Sequence, residues 1–351
     1  MTDDLLRETY AAWAGAVRPD PAAYDRVLAR RARRRVLRWA APAAATAAVA
    51  TTVAVAFALA PSRAPEVAPL DPLAPPSHFA LVAGGVPAVV SSDGSQSYAG
   101  LRGAPLTALA AVGDGETFYA VRFADCTSTL LRLAVADGRV AETPVADGTV
   151  RGRVGSLAVT RDGRRLALAT RPYFVDDGCT GGVGSHQVSV RDVTGGTVAT
   201  FDGPDARNAG WLAFAPDGTR LAYGTVSDSV DTTVRVADIP GTGTRAVLSA
   251  RRLVDCVVRG IAFRSRDELA VARICREAVE VTPVDLATRA QGAPLFTVDL
   301  GGLYVLPGVE LAFDPSGRHA LLAVNGATGD LYRWDGGAPV ELDRDATLIA
   351  W

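Results

Sequence analysis

The chain contains no lysine: all 36 of its Lys+Arg residues are arginine. A phosphate-cradling glycine loop that ends on lysine is therefore excluded. With its abundant alanine, the missing lysine reads as the mark of a GC-rich genome. Histidine is scarce. His78, His186 and His319 have no second His, Cys or Glu at ligand spacing, so there is no zinc signature. There is no Gly-x-Ser-x-Gly elbow, which argues against a serine hydrolase. Asp176-Asp177 lacks the spaced ligands of a calcium loop. The 38 acids are too many for one pair to be singled out for acid–base work. These absences lead us to expect no catalytic residue, no metal and no cofactor, hence a protein that is not an enzyme.

What is present divides the chain. Its 351 residues are 48% hydrophobic, enough for a sizeable core, and the net charge is −2. That near-neutral total hides a split. Residues 1–38 carry nine arginines against five acids, while residues 61–351 carry 27 against 33. An acidic main domain argues against a nucleic-acid partner, because phosphate binding needs concentrated cations.

The main domain repeats one short motif five times. It reads Leu109-Ala-Ala-Val-Gly-Asp-Gly, Leu157-Ala-Val-Thr-Arg-Asp-Gly, Leu212-Ala-Phe-Ala-Pro-Asp-Gly, Ile261-Ala-Phe-Arg-Ser-Arg-Asp and Leu311-Ala-Phe-Asp-Pro-Ser-Gly. The starts lie 48, 55, 49 and 50 residues apart. Strand, tight turn and strand at a period near fifty predicts the blades of a β-propeller. Phe79–Leu101 reads as three strands lacking an inner one (Phe79–Val82, Pro87–Ser91, Gln96–Leu101), and Ala346–Trp351 reads as an inner strand lacking the rest. Joined, they make a sixth blade that closes the ring and leaves no exposed sheet edge. Seven blades would leave no residues for the last. The expected fold is all-β: a six-bladed propeller over 77–351 with shared-strand closure.

The four cysteines, Cys126, Cys179, Cys256 and Cys275, all lie in this part, and their even number fits disulfides outside the cell. A hairpin turn at Arg264–Asp267 places residues whose numbers sum to 531 opposite one another, and Cys256 and Cys275 meet that condition. That leaves Cys126 with Cys179.

Ahead of the repeats, Ala40–Ala60 runs 21 residues without a charge. At 1.5 Å per residue this matches a hydrocarbon core of roughly 30 Å. Arg30, Arg31, Arg33, Arg34, Arg35 and Arg38 crowd its N-terminal side, and Trp39 stands where an interfacial anchor belongs. The positive-inside rule predicts a single span over 39–60 in the plasma membrane, N-terminus cytoplasmic and propeller outside. The rival is an export signal. Ala58-Leu59-Ala60 resembles a signal-peptidase site, and Arg33-Arg34-Arg35-Val36-Leu37-Arg38 a twin-arginine motif. Pro61 directly after that site and the 38 residues before the run weigh for an uncleaved anchor. Residues 61–76 hold six prolines, a stiff spacer of at most about 50 Å.

The first 38 residues predict a helical cytoplasmic tail. Leu6, Tyr10, Trp13 and Val17 recur at i, i+4, i+7 and i+11 on one helix face, and Pro19-Asp20-Pro21 stops that helix. So short a segment cannot bury an apolar face alone. It suits a partner's groove, or the inner leaflet beside the arginines.

The Ala-Phe-x-Pro-Asp-Gly-x-x-Leu-Ala pattern, clearest at Ala213–Ala222, resembles the repeat of TolB-like, WD40-like propellers. Arg264-Ser265-Arg266-Asp267 departs from it. The layout of helical tail, arginine cluster, one span and propeller is also similar to that of actinobacterial membrane proteins paired with extracytoplasmic-function sigma factors as anti-sigma regulators. That resemblance implies a sigma factor as the cytoplasmic partner, through Leu5–Val17 and Arg30–Arg38. The propeller's own candidate site is the long loop Arg171–His186, with Arg171, Tyr173, Phe174, Asp176, Asp177 and His186, which accounts for the 55-residue interval. Insertions on one propeller face often mark the binding side. The other reading is a disulfide-pinned loop without a ligand.

Overall fold

The computed structural model describes residues 76–83, 86–92, 97–99, 105–136, 139–171, 186–202, 206, 208–226, 232–241, 243–250, 256–300, 308–325 and 329–351. The predicted tail, the span at 39–60 and nearly all of the linker lie outside them, as do Leu6, Tyr10, Trp13, Val17, the arginines from Arg30 to Arg38 and Trp39. Among the described residues no helix is long and apolar enough to cross a membrane.

The described chain forms 24 strands in six four-stranded antiparallel sheets. Blade 1 takes β1 (His78–Ala83), β2 (Val86–Ser91) and β3 (Ser97–Ala99) from the start of the domain. Blade 2 is β4 (Leu106–Ala111), β5 (Thr117–Ala124), β6 (Thr127–Ala136) and β7 (Arg139–Arg151). Blade 3 is β8 (Arg153–Val159), β9 (Arg165–Arg171), β10 (Gln187–Asp192) and β11 (Thr197–Phe201). Blade 4 is β12 (Gly210–Phe214), β13 (Arg220–Val226), β14 (Thr232–Asp238) and β15 (Thr244–Ala250). Blade 5 is β16 (Val257–Phe263), β17 (Glu268–Cys275), β18 (Ala278–Asp285) and β19 (Phe296–Asp299). Blade 6 is β20 (Gly308–Phe313), β21 (Ala320–Asn325), β22 (Asp330–Trp334) and β23 (Val340–Asp345), and β24 (Leu348–Ala350) then returns to blade 1.

The sheet order β24-β1-β2-β3 is the three-plus-one closure expected from the sequence. Ala80 faces Ala350 and Val82 faces Leu348. The Thr347 N–H and hydroxyl both donate to the Val82 carbonyl, at 2.7 and 3.1 Å. From blade 6, Arg333 donates to the Ser92 carbonyl at 3.2 Å. The closure thus ties the last strand of the domain into the sheet of its first three.

The core is a ring of wedges. Alternate residues of a second strand point to opposite neighbours: Leu269 and Val271 pack toward blade 4, Ala270, Ala272 and Ile274 toward blade 6. The buried residues form six apolar clusters, one at each blade–blade boundary. Both faces of these strands are therefore dry, which is why they read as unbroken apolar runs such as Leu166-Ala-Leu-Ala.

The repeated Asp-Gly motifs are the turns between first and second strands. Gly115, Gly163, Gly218 and Gly317 have φ of 68–71°, a region open to glycine at little cost. Each donates its N–H to the carbonyl three residues back, to Val112, Thr160, Ala215 and Asp314 respectively. Aspartates cap the same turns. Asp114 accepts the Glu116 and Thr117 N–H groups, and Asp217 accepts the Thr219 N–H and hydroxyl. Neighbouring turns interlock. The Gly113 N–H bonds the Arg161 carbonyl at 3.0 Å, and a side chain at Gly317 would run into the Arg264 carbonyl.

Candidate functional site

A propeller has two unlike ends. On the turn face lie the Asp-Gly hairpins. On the opposite loop face the inner strands begin and the second strands end, so the long connections gather there. Blade 2 places the hairpin Asp125-Cys126 on this face, with φ of 50° and 62°, as a two-residue turn between paired Ala124 and Thr127 requires. Cys126 is disulfide-bonded, and Cys179 lies outside the described residues. Blade 5 places Cys256 and Cys275 there, joined by a disulfide with Cα atoms 4.5 Å apart. The pair was expected, but by a different register. Near the turn, Phe263 faces Leu269, a sum of 532, and a bulge between Val258 and Gly260 shifts it to 531 at Val257 and Ile274. The bulge, not the turn alone, sets the cysteines opposite each other.

Of the candidate ligand loop, the two ends are described; Tyr173, Phe174, Asp176 and Asp177 lie outside. Arg171 ends β9 and reaches inward. Its guanidinium lies so close to Gly155 that a Cβ there would stand 3.0 Å from Nε, and its Nη2 would be 3.9 Å from a Cβ at Gly210. The residue keeps an exposed surface. Burial of the guanidinium, and then the like charge of Arg153, hold its pKa below the ordinary arginine value. Arg153 itself sits 5.8 Å from the centre of the Phe123 ring. His186, the other end, accepts the Asn208 N–H on Nδ1 at 3.2 Å. The structure thus brings Arg171 and His186 to the boundary of blades 3 and 4, on the loop face.

The feature that sequence reasoning missed is the axis. The first strands of all six blades line one channel of about 170 Å³. Its walls repeat in layers. The Ala of each Leu-Ala or Ile-Ala pair supplies one layer: Ala110, Ala158, Ala213, Ala262, Ala312 and Ala350. The residue before each pair supplies the next layer toward the loop face: Ala108, Ser156, Trp211, Gly260, Glu310 and Leu348. Among the described residues of the lining, Glu310 is the sole ionisable side chain. It is partly exposed, and burial pushes its carboxyl up to about 7. Ser156 Oγ accepts the Leu212 N–H at 3.1 Å. Trp211 sits on a bulge with φ of 51°, and its indole lies over Gly224, where a Cβ would come within 2.6 Å of a ring carbon. The signal was present in the sequence, since Glu310 is the one acid at that position of the repeat.

No family model matches the chain, and no curated protein matches it. Solved structures do. TolB from Acinetobacter baumannii superposes with a TM-score of 0.57 at 13% identity, over 78% of this chain and 65% of that one. A putative TolB from Agrobacterium tumefaciens gives 0.52 at 14% identity, over 76% and 88%. A structure of a nidogen/laminin complex gives 0.54 at 12% identity, over 78% and 97%. The chain thus spans just under two thirds of the length of the Acinetobacter TolB. These likenesses, with the sheet order, define the fold as a TolB-like six-bladed β-propeller.

Proposed function

We propose that this chain is a non-catalytic binding protein of the plasma membrane. Its propeller presents the loop face to an extracytoplasmic protein or small ligand, and its tail, residues 1–38, sequesters a cytoplasmic sigma factor. The observation that supports a binding role is the asymmetry of the ring. One face is closed by short interlocked turns, while the other gathers the cysteine-pinned hairpins, Arg171 and His186. One similar structure is of a nidogen/laminin complex, in keeping with protein binding as a use of this architecture. The membrane and regulatory parts of the reading rest on the arginine cluster, the uncharged run at 40–60 and the one-sided tail face of Leu6, Tyr10, Trp13 and Val17.

The test is capture from lysate with the full-length chain in membranes, against a Leu6→Glu/Trp13→Glu double variant. Recovery of a sigma factor by the parent and not by the variant is expected. Equal recovery by both, or none, would overturn the sigma-factor reading. A mature N-terminus near Pro61 would move the function to the alternative, an exported or anchored envelope scaffold or small-ligand binder without cytoplasmic signalling.

A further inference from the structure

The second strands of the blades carry five arginines: Arg122, Arg165, Arg171, Arg220 and Arg273. Four of them meet an acid on their own blade. Arg122 donates to both carboxylate oxygens of Glu142, at 2.7 and 2.9 Å. Arg165, Arg220 and Arg273 stand directly opposite Asp192, Asp238 and Glu280 on the third strands, at 3.6, 3.9 and 3.5 Å. Arg171 is the exception. The residue directly opposite it, on the first strand, is Arg153. Like charges at facing positions destabilise a sheet. In no other blade does the pairing of first and second strands oppose two cations. On the third-strand side, the residue one step beyond the Gln187–Thr170 pair is His186, not an acid. Its Nδ1 accepts the Asn208 N–H, so the ring hydrogen sits on Nε2, which is a donor.

Among the described residues, no carboxylate, carbonyl or hydroxyl accepts a hydrogen bond from the Arg171 guanidinium, and the charge that acts on it is that of Arg153. The described acids of that rim, Asp125 in the blade 2 hairpin and Asp202 after β11, form no ion pair. The guanidinium is held in place all the same. It lies along Gly155, the bulge residue between Val154 and Ser156, and toward Gly210 of blade 4. A side chain at Gly155 would stand 3.0–3.5 Å from its Nε, Cζ and Nη2 and push the group away. Bare backbone on two strands thus seats the cation, while the residue keeps an exposed surface by which a ligand can approach. The chemistry of that ligand follows from the fork. One guanidinium matches the two oxygens of a carboxylate, as Arg122 holds Glu142 in the neighbouring blade. The 33 acids against 27 arginines of residues 61–351 disfavour a polyanion.

We propose that Arg171 is the receptor for one carboxylate at the boundary of blades 3 and 4, held by both arms of its guanidinium, with Arg153 adding a second positive charge. The proposal rests on the reading of the loop face as the binding side, which it deepens, and is independent of the tail. The carboxylate has two sources of the same chemistry, a small free acid or an acidic side chain of a docked protein.

The test is calorimetric titration of the full-length chain with butyrate, and with a glycine-serine peptide, capped at both ends, that carries one glutamate. Butyramide and inorganic phosphate are the controls. We expect one-to-one binding of a carboxylate that weakens in high salt, weaker binding of phosphate, and no binding of butyramide. Binding of butyrate identifies a free acid as sufficient; binding of the peptide alone identifies a docked side chain. Arg171→Gln should weaken binding about tenfold or more. Arg171→Lys, which keeps the charge and loses the fork, should weaken it several-fold. Arg273→Gln, at an arginine with its own acid, should leave it unchanged. Denaturant midpoints test the same point without a ligand. Arg171→Gln should match or exceed the parent, because a repulsion goes and no ion pair is lost, whereas Arg273→Gln should fall below it. No binding of either carboxylate, binding unchanged in Arg171→Gln, phosphate bound as tightly as butyrate, or a lower midpoint in Arg171→Gln would overturn the proposal. So would binding gained only after Asp176→Asn and Asp177→Asn, which would make the chain's own loop the occupant. Loss of the tail's partner in the lysate experiment leaves this titration untouched, so the two failures are distinguishable.

Discussion

The carboxylates of the turn face and the carboxylate of the axis are held in opposite states. On the turn face, Asp162 and Asp217 end tight hairpins. For Asp162, the Thr160 hydroxyl and the Arg164 N–H favour the charged form and hold its pKa below the usual aspartate range. For Asp217, burial pulls upward, but the Thr219 N–H and hydroxyl with Arg266 and Arg220 outweigh it. On the axis, Glu310 has no such donors, and burial acts unopposed. The difference lies in the backbone, since a hairpin offers N–H groups at its bend. Turn-face acids build the ring; the axial acid is tolerated by it.

The comparison can be broken first at a glycine. Gly317→Ala combines a strained φ with a collision against the neighbouring Arg264 carbonyl, and should cost about 3–4 kcal/mol. Gly163→Ala has the same φ but meets only Val112 methyls at 3.4 Å, so about 1 kcal/mol is expected. Denaturant midpoints of the two variants separate interlocking from conformational cost; equal losses would contradict it.

Opening the loop face should cost nearly as much. The Cys256–Cys275 bridge closes a loop with a sequence separation of 19. Replacing both cysteines by serine should lower stability by roughly 3 kcal/mol on the chain-entropy account. Turn-face variants should not respond to reductant in the same way.

A smaller effect sharpens the turn-face side. Asp217→Ala removes the acceptor of two Thr219 bonds and the partner of Arg266, a loss of about 1 kcal/mol near neutral pH. Because the folded pKa of Asp217 lies below its unfolded value, that contribution is present above the ordinary aspartate range and fades as pH falls through the folded value. Parent and variant should therefore converge in acid.

Much of this architecture was legible. The repeat that opens on Leu-Ala or Ile-Ala names the first strand and its turn, with the turn's glycine in four of five copies, and the five copies with a three-plus-one remainder define a closed six-bladed ring. The disulfide at Cys256 and Cys275 was legible for a partly mistaken reason, because a bulge follows from local strain that pairing arithmetic does not contain. Arg171 and His186 were found through loop length, but not the glycines at Gly155 and Gly210 that let Arg171 reach inward. Glu310 escaped notice because one acid among 38 has no contrast in a linear chain. It stands out only when six equivalent positions are stacked around an axis.

The most direct measurement is the stability of the parent minus that of Glu310→Gln from pH 4 to pH 9. A carboxyl raised in the folded state to about 7 destabilises the fold once ionised, so the penalty is absent below its unfolded value of 4.5 and complete above about 7. The two proteins should be equally stable near pH 4, and the variant should gain steadily to a plateau of roughly 3 kcal/mol by pH 8. A difference that stays flat across that range, or a plateau reached by pH 5, would contradict an isolated carboxylate on the propeller axis.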